Sequence, residues 1–181
     1  MMETTKTKWV IDPAHSEIAF KVKHLMISNV KGTFKEFDAT VLTTGDDFST
    51  SEIEFSMKPA SVQTGNSDRD GHLQSADFFD VAKYELIGFK STSLKPVDED
   101  GNYELTGVMT IKGISKELKL EVEFGGIMKD PWGNSKAGFT LNGKINRKDW
   151  DLTWNTALEA GGVLVGEEVK ISCEVQLAKQ S

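Results

Sequence analysis

A chain of 181 residues, 38% hydrophobic and 27% charged, suits one domain spanning 1–181 with a sizeable core, and nothing in its composition calls for a second. The formal charge of −7, without any Lys or Arg cluster, argues against nucleic acid and anionic membrane surfaces, since both select a concentrated positive field. No stretch approaches the roughly 20 apolar residues of a spanning helix, the opening MMETTKTKWVID lacks an apolar export segment, and the lone Cys173 cannot form an internal disulfide, so a cytoplasmic location is expected.

In chain order, residues 1–7 read as a loose end, and His15 falls in the DPAHS turn, where its ring would cover a barrel end. The dominant period is then two. In SEIAFKVKHL, Ile18, Phe20, Val22 and His24 share one face, and Glu17, Ala19, Lys21 and Lys23 the other. A strand over 29–43 follows. In SEIEFSMK, Ile53, Phe55 and Met57 oppose Glu52, Glu54, Ser56 and Lys58. The period breaks at SDRDGHLQSADFFD, residues 67–80. Ser67 with Asp70 fits a capping box and Ser75 with Asp77 a second start, which predicts short helices over about 67–74 and 76–80. On the first of these, helical spacing puts Asp68 with His72 on one face and Arg69 with Leu73 on another.

Beyond the break, strands are expected over 84–94, 102–112, 116–125, 135–147 and 167–177, punctuated by DEDGN, KGIS, DPWGN and EAGG. Leu118, Leu120, Val122 and Phe124 define one inner face, and Val169, Ile171, Cys173, Val175 and Leu177 another. Residues 179–181 read as a second loose end. Eight half-solvated antiparallel strands can close into a barrel or stack as a sandwich, and either puts the apolar faces inside.

The chemical motifs are sparse. His15, His24 and His72 are scattered, there is no HxxxH, CxxC or G-x-S-x-G, and the glycines form no phosphate loop, so neither a metal, a cofactor nor a catalytic residue is expected. Asp68, Asp70 and His72 can be read as a capped, solvated helix, and Arg69 as a surface charge. His24 faces inward near a strand end, where it either bonds within the core or meets the polar head of a ligand. Phe20, Phe34, Phe55, Phe89 and Phe139 would serve a solid core as well as a pocket wall, and periodicity does not separate the two.

Four long blocks are more specific. WVIDPAHSEIAFKVKHLMISNVKGTFKEFDA, SVQTGNSDRDGHLQSADFFDVAKYELIGFKSTS, LTGVMTIKGISKELKLEVEFGG and KAGFTLNGKINRKDWDLTWN closely resemble the YceI-like family of bacterial lipid-binding proteins, from about Trp9 to Leu177. The resemblance implies a lipocalin-like, eight-stranded antiparallel β-barrel with a long apolar cavity. It also implies a bound polyisoprenoid, isoprenoid quinone or fatty-acid amide type of lipid, often a homodimer, and no enzyme. On this reading Phe20, Val22, His24, Phe34, Phe55, Met57, Phe89 and Phe139 line the cavity. The 67–80 insertion lies over the mouth, with Arg69 and His72 at the entrance and Phe78 and Phe79 packing the helices onto the barrel. An enzyme acting on such a lipid, with His24 or His72 as acid or base, and an interaction module with a solid barrel are the alternatives.

Overall fold

The structure, a computed structural model, describes residues 6–155 and 164–180. Alternating apolar and polar side chains form eleven strand segments. These are β1 (Lys6–Ile11), β2 (Glu17–His24), β3 (Ser28–Phe34), β4 (Phe37–Thr44), β5 (Asp47–Met57), β6 (Val62–Gln63), β7 (Ile87–Pro96), β8 (Asn102–Ile111), β9 (Ile114–Lys129), β10 (Ser135–Asn146) and β11 (Val165–Lys179). The one α-helix among the described residues, α1, spans Ser67–Gln74.

Several of these segments are halves of one bent strand. Pro13 and Pro59 each open a single 3-10 turn, because proline fixes φ and cannot donate to a ladder, and these turns separate β1 from β2 and β5 from β6. Lys35 and Glu36 alone separate β3 from β4. Both β1 and β2 lie against β11, at Ile11↔Leu177 and Glu17↔Glu174. β4 pairs with β1 and β3 with β2, while β5 pairs with β4 and β6 with β3. Followed as continuous paths, the strands number eight, all antiparallel, and β11 closes the ring. Closure pairs the backbone groups that an open sheet would leave at its edges.

Tight turns join the strands where the sequence supplies residues that accept a positive φ: Gly45, Gly101, the Lys112–Gly113 pair and Gly133. The β2–β3 hairpin is the exception, with Leu25 and Met26 at φ of 54° and 62°. DEDGN, KGIS and DPWGN therefore mark real turns, whereas EAGG lies outside the described residues.

Four expectations need correction. Lys6 and Thr7 belong to β1 and pair with Thr44 and Thr43, and Lys179 ends β11 opposite Trp9, so these three residues are strand and not loose end. The stretch 84–94 begins its strand only at Ile87. Helix α1 is capped by Asn66, whose side chain accepts from the Arg69 amide, and not by Ser67. Residues 76–80 form turns, not a second helix. The amides of Phe79 and Val81 return to the Leu73 and Gln74 carbonyls, so this segment satisfies acceptors at the end of α1 instead of starting anew.

The inner faces are those the period of two picks out. At one end of the barrel the interior is filled by aromatic rings. Phe48 meets Trp9, Phe124 and Phe139 at centroid distances of 5.0, 5.2 and 4.9 Å, and Trp9 donates its indole N–H to Thr43 at 3.0 Å. The opposite end, where β2, β5, β8 and β10 finish and β3, β7, β9 and β11 begin, carries α1 and the turns after it.

Candidate functional site

Above the aromatic floor the barrel is hollow. An upper chamber of about 500 Å³ lies under α1, and a lower one of about 160 Å³ lies between it and the floor. Phe20, Phe34, Met57, Met109 and Ile171 line both, forming a neck between them. Val22 and His24 line the upper chamber; Phe55, Phe89 and Phe139 line the lower. All eight side chains named as cavity residues thus face one of the two chambers.

Glycine keeps the neck open. Gly32 stands opposite Phe20 in the β2–β3 register, and a Cβ there would lie 2.3 Å from the Phe20 ring. With no side chain at that inward position, the ring lies flat against the wall. Gly143 receives Leu120 in the same way.

Polarity is distributed unevenly. In the lower chamber the hydroxyl-bearing liner is Ser51, and its Oγ already donates to the Phe48 carbonyl. Cys173 also lines it, and burial pushes its thiol up to about 11. Charged and hydrogen-bonding side chains gather in the upper chamber instead: Lys23, His24, Thr64, Asp68, Arg69 and Arg147 among them.

Lid residues are held by specific bonds. Arg69 reaches back from α1 to Thr64, with Nε on the hydroxyl and Nη2 on the carbonyl, both at 2.7 Å. Asp70 accepts from the Thr64 amide at 2.9 Å and from its hydroxyl, so α1 is tied to the end of β6. His72 bonds Asp77 at 2.9 Å and stands edge-on to Phe78 and Trp154, at 5.1 and 4.6 Å. Phe78 is buried, and Phe79 meets Phe34 edge-on at 5.9 Å, which seats the lid on the barrel wall. Arg69, His72, Phe78 and Phe79 all line the upper chamber. The His24 ring makes no hydrogen bond among the described residues. His15 bonds Asp12 at 2.9 Å in the turn between β1 and β2 and is exposed.

Arg147 is the site residue that sequence reasoning missed. It follows β10, is 3% exposed, and donates to the carbonyls of Gly166, Leu152, Trp154 and Val165 at 2.8, 2.5, 3.0 and 3.3 Å. Burial lowers its pKa, partly offset by the charge of Glu167. The signal was available: Phe139, Leu141, Gly143 and Ile145 alternate inward, and Arg147 continues that parity.

Among the described residues no group of three or more His, Cys, Asp and Glu is placed to hold a metal ion. Among the same residues no helix is long and apolar enough to cross a membrane. A groove of about 990 Å³ outside the barrel is lined in large part by lysines and glutamates of the solvent face, such as Lys119 and Glu121.

The YceI-like domain matches residues 9–177. The chain belongs to the YceI-like family. A UPF0312 protein of Staphylococcus aureus is 39% identical over 173 residues, covering 95% of this chain and 98% of its own. The YCEI protein of Campylobacter jejuni, at 35% identity and full coverage of both chains, superposes with a TM-score of 0.75. Two more distant structures share the fold. Burkholderia cenocepacia BcnA has a TM-score of 0.76 at 22% identity, covering 92% of this chain and 98% of that one. A polyisoprenoid binding domain from Saccharophagus degradans has a TM-score of 0.69 at 14% identity, covering 93% and 97%. The family barrel is thus the frame in which the two chambers lie.

Proposed function

We propose that this chain, acting over its whole length as one unit, binds and carries a long-chain apolar lipid in the barrel interior. The tail class is polyisoprenoid, isoprenoid quinone or fatty-acyl. The observation that supports this best is the change of polarity along the cavity: Phe, Ile, Leu, Val and Met dominate below, where the Ser51 hydroxyl is already bonded to the Phe48 carbonyl, and charged side chains gather under the lid. Such a cavity orients an amphiphile, with its tail toward the aromatic floor and its head under α1. Each buried methylene is worth about 0.8 kcal/mol, so some fifteen carbons supply on the order of 10 kcal/mol before the cost of ordering a flexible chain. Affinity comes from the tail, and selection among heads from His24, Arg69 and His72 in the upper chamber.

Organic extraction and mass spectrometry of freshly purified protein test this. A recovered lipid of about 12 or more carbons is expected, given the inventory of apolar contacts. If extracts are empty and stripped protein takes up neither prenyl alcohols nor fatty amides, the carrier reading falls. A lipid that emerges chemically altered after incubation would favour an enzyme instead. A homodimer and a cytoplasmic location complete the reading, to be checked by light scattering and by cell fractionation.

A further inference from the structure

We infer that the head group of the lipid is an anion, a carboxylate or phosphate, seated against Arg147 in the upper chamber. This rests on the lipid-binding reading and narrows it, favouring acids and phosphates over neutral alcohol, quinone and amide heads. Arg147 is the buried charged side chain among the described residues. All four of its hydrogen bonds go to neutral carbonyls, and no carboxylate lies within ion-pair distance of it among those residues. Carbonyl dipoles satisfy N–H groups but bring no full counter-charge, the charge of Glu167 acts only from beyond ion-pair distance, and a guanidinium offers five donors, one more than these bonds use. An oxyanion in the chamber would meet both the charge and the spare donor.

The charge on the chamber wall points the same way. In a chain of formal charge −7, the upper chamber is lined, among the described residues, by the cations Lys23, Arg69 and Arg147 against one carboxylate, Asp68. Asp70 and Asp77, bonded to Thr64 and His72 on the lid, keep their charge but do not line the chamber. The lining itself is therefore opposite in sign to the molecule. A neutral head would leave it so, whereas an anionic head brings the chamber nearer to neutrality in surroundings where a lone charge is costly.

Calorimetric titration of lipid-stripped protein with hexadecanoate, hexadecyl phosphate, hexadecanol and hexadecanamide tests this, with acetate and inorganic phosphate as tail-free probes. The anionic amphiphiles should bind at least about tenfold more tightly than the alcohol and the amide. In Arg147→Gln that ratio should collapse toward one, and in Arg147→Lys, which keeps the charge, it should persist. Equal affinity for all four amphiphiles would overturn the inference while leaving the lipid-binding reading intact. An anion preference unchanged in Arg147→Gln would overturn the assignment to Arg147. Tail-free anions bound as tightly as the amphiphiles would make this a small-anion site and overturn the head-group assignment. Failure of every amphiphile would sink the lipid reading itself. If Arg147→Gln does not fold, the wild-type ratio decides alone.

Discussion

His24 closes β2 with its ring in the upper chamber and no hydrogen bond to the protein among the described residues, so its polar edge is free for a ligand. Replacing it by Ala should weaken lipids with a polar head by about 1–3 kcal/mol and leave plain hydrocarbons nearly unaffected. Equal losses for both, measured by titration, would make the ring structural. Cys173 gives a second test at the same scale. Its thiol is raised from 9.0 to about 11 by burial, so between those values the unfolded chain releases a proton that the folded one retains. Stability from this residue is whole below pH 9 and is lost progressively up to about pH 11, by about 2–3 kcal/mol for a shift of this size. Urea unfolding at pH 8 and pH 10.5 should show wild type losing more than Cys173→Ala; parallel losses would refute it. Which residues face inward was legible from period two, down to His24 and Cys173. The inward parity of Arg147 was legible too, but its main-chain carbonyl partners were not, since no side-chain motif announces them.

At the level of elements, the approach of β3 to β2 depends on Gly32. Gly32→Ala should drive the Phe20 ring off the wall and into the neck, costing about 1–3 kcal/mol as an overpacked interior does and reducing lipid uptake. Gly88→Ala in β7 is the control, since its Cβ would meet nothing within 4 Å. A comparable loss in both variants, by denaturant unfolding, would show backbone propensity rather than crowding at work. Strand identity and the turn sites were readable because alternation and Gly-bearing turns are local signals. The breaks within bent strands and the misplaced second helix were not. A break at Lys35 and Glu36 follows from ring curvature, and the 76–80 turns from carbonyls left open by α1, both set by the surroundings of the segment.

For the whole molecule, the question that composition left open, a filled core or a hollow one, is a matter of how inward side chains are disposed around the ring. Large residues set against glycine leave a lumen that a count of apolar residues does not reveal. Val22→Trp places an indole in the upper chamber, so it should abolish lipid uptake with little loss of stability in stripped protein, while Lys21→Trp on the wet face keeps both. Strong destabilisation by Val22→Trp in thermal unfolding, with no lipid bound by the parent, would mean a solid interior. The neck adds a consequence of timing. Phe20, Phe34, Met57, Met109 and Ile171 stand where the proposed lipid's tail would pass from one chamber to the other, and the two thioethers are the most pliable of them. A straight chain can thread that constriction in small increments, whereas a fused-ring tail of equal area must displace the whole collar at once. Stopped-flow loading should therefore separate cargo by stiffness even where equilibrium binding does not, and the barrel would act as a kinetic sieve.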